Sequence, residues 1–199
     1  MKILAFSDVH HSRSHAEALF VASQGVDLVI GAGDFCNARR NLPDAMNLLG
    51  GISKPMIVVP GNAENLDELH EAAHAGTTVL HGTGTEIDGI RIFGLGYGVP
   101  TTPFGDWSCD LTETEAAAHL AHCDDCDILV THSPPKGVAD KTSGGLSVGS
   151  DTIRAAITRL QPAHALCGHI HDSWGVTGQI GTTLVRNLGP EGHIFEFAP

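Results

Sequence analysis

The 199-residue sequence predicts an α/β fold, with two mixed β-sheets flanked by helices in a single domain over residues 1–199. Three observations predict it. Short apolar runs alternate with helix-like stretches along most of the chain. Each run stops at a polar or glycine-rich turn, as a buried strand does at its carboxyl end. Past Ser173 the strand-like runs continue without a helical pattern, which calls for a sheet of mixed direction.

The strands read in order. Lys2–Phe6 runs into Ser-Asp-Val-His, and Asp27–Ile30 into Gly-Ala-Gly-Asp. Met56–Val59 runs into Pro-Gly-Asn, Asp127–Val130 into Thr-His-Ser-Pro-Pro, and Ala163–Cys167 into Gly-His-Ile-His. Asp88-Gly89 between Ile87 and Ile90 marks a tight hairpin. Helices lie between them. Ser14-x-x-Glu17 opens one to about Gln24, Asn65-x-x-Glu68 one to about Ala75, and Thr112-x-x-Glu115 a third. These are capping-box spacings, in which two orphan amides at a helix start are satisfied reciprocally. Ser150 or Asp151 caps a fourth helix through Leu160, stopped by Pro162.

Composition narrows the function. The chain is 42% hydrophobic and 17% charged, in the range of a globular protein with a sizeable core. No apolar stretch approaches the roughly 18 residues of a membrane span. Met1–His10 is too short for a secretion signal and reads as a strand, so a cytoplasmic protein is expected, with no membrane partner. Acidic residues outnumber basic ones, 23 to 11, for a formal charge of −12. Such a surface repels nucleic-acid polymers and favours a small phosphorylated substrate held by a local positive site. Oligomeric state is left open, a homo-oligomer included. The five cysteines have irregular spacing, which argues against a disulfide framework.

The chemistry sits at the strand ends, where open α/β sheets bind ligands. Asp8 and His10 are two apart, as are His169 and His171, so continued strand geometry would point each pair to one side. Asp34, Asn62 and His132 add one group each. Imidazole suits Zn, Fe, Mn and Ni, and carboxylate and amide oxygens suit the harder ions. A carboxylate can bridge two ions, which together clamp a phosphoryl group. Two divalent ions, two aspartates and a hydroxide leave about +1 to attract phosphate.

At these residues the sequence resembles the calcineurin-like metallophosphoesterase superfamily. It carries Asp8-Val9-His10, Gly33-Asp34, Gly61-Asn62-Ala63-Glu64, His132 and Gly168-His169-Ile170-His171, in the family's order. The resemblance implies that Asp8, His10 and His171 hold one divalent ion, that Asn62, His132 and His169 hold a second, and that Asp34 bridges. It implies the family's sandwich of two mixed sheets with outer helices. It also implies in-line attack of a metal-activated water on phosphorus, with Asp34, Asn62 and His132 as the catalytic set. One position departs: the family's usual histidine, read as general acid or transition-state stabiliser, is Ala63 here. Loss of a general acid costs ~10²–10⁴ in rate. The metal clamp survives, so the expected function is hydrolysis of small phosphodiesters or phosphomonoesters, with diesters and good leaving groups favoured. His11 and Asn62 are the candidates for substrate contact, and His11 could replace the missing histidine. A binding module on the same fold with weak or no catalysis is the alternative, and Ala63 is the feature in its favour. A nuclease is a third reading, disfavoured by the charge.

Other features read as structural. His119, His122, Cys123 and Cys126 read as a helix end running into a strand rather than a zinc site. Gly144–Ser150 matches no phosphate-loop fingerprint and reads as a loop near His132. Asn187-Leu188-Gly189-Pro190 reads as a turn near the site. Tyr97, Phe104 and Trp107, in the stretch Gly96–Asp110, are either loop anchors or the lining of a substrate pocket.

Overall fold

A computed structural model describes residues 1–198. In chain order the elements are β1 Lys2–Phe6, α1 Arg13–Ser23, β2 Leu28–Gly31, α2 Leu42–Leu49, β3 Met56–Val58, α3 Leu66–Ala72 and β4 Thr77–Val79. There follow β5 Thr83–Ile87, β6 Ile90–Leu95, α4 Glu113–Leu120, β7 Ile128–Thr131, α5 Asp151–Leu160 and β8 His164–Cys167. A 3-10 turn at His171–Ser173 precedes β9 Thr177–Ile180, β10 Thr183–Asn187 and β11 His193–Glu196.

The strands form two sheets, ordered β11-β1-β2-β3-β4 and β5-β6-β7-β8-β10-β9. Both are mixed. β1 to β4 pair in parallel and β11 runs antiparallel to β1. In the second sheet β6, β7, β8 and β10 pair in parallel, with β5 and β9 antiparallel at the edges.

Strand alternation builds three cores. Ile3, Ala5, Leu28 and Ile30 face inward and meet Ile90, Ile92, Ile128 and Val130 of the second sheet. Leu4, Phe6 and Val29 face outward and pack on Leu19, Met46 and Leu69 of α1, α2 and α3. On the far side Phe93, Leu129 and Val185 pack on Leu120 of α4 and Ile157 of α5. The period of two sends alternate side chains to opposite faces, so one short apolar strand serves two cores. The result is the expected four-layer sandwich of two mixed sheets between helices.

The capping boxes at Asn65/Glu68 and Thr112/Glu115 form as expected. Asp88 and Gly89 take positive φ, as a primed hairpin turn requires. Two expectations need correction. The cap of α1 is Ser12, not Ser14, because Ser12 Oγ accepts from the His15 amide. α3 stops at Ala72 rather than Ala75. One helix, α2, is additional to those expected; Pro43 lies in its first turn, where its missing N–H costs nothing. Among the described residues no helix is long and apolar enough to cross a membrane.

Candidate metal centre

The parallel strands β1, β2 and β3 of one sheet and β7 and β8 of the other all end toward one edge of the sandwich. Their following loops carry all seven predicted ligands and bring them together. The route differs from the expected one. β1 ends at Phe6, and Asp8, His10, Asp34 and His169 take φ of +55°, +47°, +57° and +68°. Strand geometry therefore does not continue, and turns aim these side chains. Such left-handed backbone costs about 1–3 kcal/mol per residue and persists only where the surroundings impose it. Backbone bonds impose it here: Asp8 N–H donates to Gly33 O at 2.9 Å, His10 N–H to Asp34 O at 3.0 Å and His11 N–H to Phe35 O at 2.7 Å. A Cβ on Gly61 would strike Asp34, and one on Gly168 would strike Asp8, so both loops need glycine for this approach.

Asp8, His10, Asp34 and His171 each offer a ligand atom within 4.8 Å of the others. His10 Nε2 lies 3.1 Å from His171 Nε2 and 3.6 Å from Asp34 Oδ2. His10 Nδ1 lies 3.1 Å from Cys36 O, an acceptor that keeps the proton on Nδ1 and leaves Nε2 with a lone pair. Asp8 accepts from Ser7 Oγ at 2.5 Å, from Trp174 Nε1 at 3.1 Å and from the His169 amide. The Trp174 ring also lies against His171, with centroids 4.4 Å apart.

In the other group His132 and Asn62 are buried and His169 is half-buried. His132 Nδ1 lies 2.8 Å from Ala32 O, which again frees Nε2. That Nε2 faces Asn62 Oδ1 at 3.1 Å and Asp34 Oδ1 at 3.4 Å. Asn62 Nδ2 donates to Ser108 Oγ at 3.0 Å, and this fixes the amide with its oxygen inward. His169 stands beside His132, ring centroids 4.9 Å apart. Asp34 lies between the groups, with Oδ2 toward His10 and Oδ1 toward His132.

The electrostatics call for a cation. Burial, and then the charge of Asp8, push Asp34 up to about 7. Burial, and then His132, hold His169 well below the ordinary histidine range, so it is a neutral donor. Lone pairs of His132 Nε2 and Asn62 Oδ1 point at each other at hydrogen-bond distance with no proton to share. Imidazoles, an amide oxygen and two aspartates form a donor set that fits divalent transition metals.

Several contributors escaped the sequence reading. Glu64 accepts from the amides of Asp34 at 2.7 Å, Phe35 at 3.2 Å and Gly61 at 2.6 Å, which clamps the loops after β2 and β3. Its carboxyl is pushed up to about 8, mainly by burial. Ser108 and Trp174 orient Asn62 and Asp8. Asn187 was read as part of a turn near the site; its Nδ2 donates to the carbonyls of Ala139, Gly168 and Ile170. Ala63 is buried, and its amide donates to Asp34 Oδ1 at 2.9 Å. His11 is half-buried. Cys123 and Cys126 pack in the core under α4 and α5. The N-terminus of α5 is closed by Glu113, which accepts from Asp151 and Thr152 amides, so Gly144–Ser150 is no phosphate cradle.

A profile of the calcineurin-like phosphoesterase family matches residues 1–173. The chain is 29% identical over 212 aligned residues to the UPF0046 protein K07C11.7 of Caenorhabditis elegans, covering 94% of this chain and 69% of that one. It is 30% identical to human metallophosphoesterase domain-containing protein 1, over 64% of this chain and 38% of that one. Among solved structures, TT1561 of Thermus thermophilus superposes with a TM-score of 0.75 at 19% identity, covering 94% of this chain and 88% of that one. A dimetal phosphatase from Danio rerio gives a TM-score of 0.59 at 13% identity, over 96% and 88%. These likenesses share the fold. The chain belongs to the calcineurin-like phosphoesterase family, whose members are metal-dependent hydrolases of phosphoesters.

Proposed function

We propose that this chain hydrolyses small phosphoesters at a binuclear metal centre, with diesters and good leaving groups favoured. Asp8, His10 and His171 hold one ion, Asn62, His132 and His169 hold the other, and Asp34 bridges. The observation that carries this reading is the split of the Asp34 carboxylate, one oxygen facing each group of donors. When bound, two divalent ions supply positive charge that polarises a phosphoryl group and lowers the pKa of water.

The chain's own residues do the rest. His10 and His132 present lone pairs because backbone carbonyls hold their other nitrogens. Asn62 presents its oxygen because its Nδ2 donates to Ser108 Oγ. At Ala63 a methyl group stands where the family's proton donor would be, so a poor leaving group departs unassisted. Esters whose leaving group is already stable as an anion need no such help. His11 is the imidazole we assign to any residual proton donation.

The test is hydrolysis of bis(p-nitrophenyl) phosphate, p-nitrophenyl phosphate and glycerol phosphate with added Mn. We expect the diester to be hydrolysed fastest and glycerol phosphate slowest by about 10²-fold or more. Rapid glycerol phosphate hydrolysis that survives His11→Ala would overturn the assignment of a missing acid. A protein that binds Mn yet cleaves none of the three would favour the binding-module reading, for which Ala63 is the supporting feature.

A further inference from the structure

A cavity of about 430 Å³ opens beside His169, between the segment Val99–Phe104 and the loop that carries Lys136, Thr142, Ser147 and Val148. We propose that it receives the organic group of the phosphoester, and that this group is a flat, uncharged aromatic ring. The inference rests on the proposed function and names the substrate class of that site.

Position is the first support. His169 is both an assigned metal ligand and part of the cavity wall, so a substituent on a phosphoryl group held at the centre can extend straight into it. The volume is that of a small-molecule site. The second support is the wall. Phe104 is 49% exposed, a large apolar ring left open to solvent. Trp107 stacks on it at 5.6 Å and 8°, and His169 meets it edge-on, with centroids 6.4 Å apart. A ring held from behind in this way offers a ligand ring a stacking partner at little entropic cost.

The third support is rigidity, because both flanking loops are tied by carboxylates. Asp110 accepts from the Thr102 amide at 2.9 Å, from Thr102 Oγ1 at 2.8 Å and from Ser108 Oγ at 2.9 Å. Asp140 accepts from the amides of Gly137 and Gly149, each at 2.9 Å, and from Ser147 Oγ. The cavity is therefore formed before any ligand arrives. Charge is the fourth support. The lining carries the ammonium of Lys136, tethered to Ser147 O at 2.7 Å, and no carboxylate. An aromatic wall would otherwise suit a cationic group. Lys136 opposes that choice, and the apolar wall opposes a second phosphate.

The test compares phenylphosphonate, methylphosphonate and 2-aminoethylphosphonate by calorimetric titration of the Mn-loaded protein. All three offer the centre the same anion and differ only in the organic group. Phenylphosphonate should bind about tenfold more tightly than methylphosphonate, and 2-aminoethylphosphonate no more tightly than methylphosphonate. In Phe104→Ala, an exposed position whose change leaves the core intact, the phenyl-to-methyl ratio should fall to about twofold or less. Equal binding of the phenyl and methyl compounds, a preference for the amine, or a ratio unchanged in Phe104→Ala would overturn the cavity assignment and leave the phosphoesterase reading standing. Failure of all three to bind a protein that has taken up Mn would overturn the phosphoesterase reading itself.

Discussion

The two halves of the proposed cage use similar donors in different surroundings. His132 is fully buried, and Asn62 beside it is held by Ser108. In the other half the side chains of His10 and His171 are 25% and 51% exposed. Its orienting contacts come from Cys36 O and the Trp174 ring, and Trp174 is itself exposed. Burial fixes donors before an ion arrives, so the enclosed half should bind its ion tightly and the open half should exchange its ion more readily. Asp34 belongs to both.

Changing Asp34 therefore breaks the comparison outright. Asp34→Ala should lower kcat by on the order of 10³ or more and reduce bound metal in both halves, as metal analysis and a diester assay would show. His132→Ala and His171→Ala come next and should separate the halves. His132→Ala leaves a buried hole and an unpaired Ala32 carbonyl, and should destabilise the fold by about 2–3 kcal/mol in addition to losing activity. His171→Ala should leave the melting temperature of the metal-free protein almost unchanged and regain much of its activity at millimolar Mn. Equal thermal shifts in the two variants would erase the distinction.

Ser108→Ala and Trp174→Phe sharpen it. Neither residue is an assigned ligand, and partners that orient a ligand in this way are worth about 10–100-fold in metal affinity. Ser108→Ala should weaken the enclosed half. Trp174→Phe keeps a ring beside His171 but loses the bond to Asp8, and should weaken only the open half. The smallest effect lies away from the centre. His81 is held down to about 4, by burial first and by His119 second, and its Nδ1 accepts from the Gly96 amide at 3.1 Å. Its folded pKa lies below its unfolded value, so the unfolded chain binds the extra proton. The stability His81 contributes is full above pH 6.5 and is lost as the pH falls through about 4. His81→Gln, followed by denaturant titration of the metal-free protein, should flatten stability across that window and leave the metal affinities of both halves alone.

Much of this was legible in the sequence because it is local. Capping boxes at Asn65 and Thr112 act over three residues, Asp88-Gly89 sets its own turn, and each assigned ligand follows an apolar strand. The parts that escaped are set by distance along the chain. Ser108 reaches Asn62 across 46 residues, and Trp174 reaches Asp8 across 166. Neither makes a motif with its partner. The turns that aim Asp8 and His169 were misread as strand because alternation alone gives the same facing for residues two apart. α2 is short, and its start at Asn41 carries no side-chain cap bond to announce it.

Equilibrium dialysis of chelator-stripped protein against Mn tests the two-ion cage most directly. The cage should take up two ions per chain, in separate tight and weak steps, with both steps impaired in Asp34→Ala. Saturation at a single ion, or two ions that Asp34→Ala leaves in place, would contradict it.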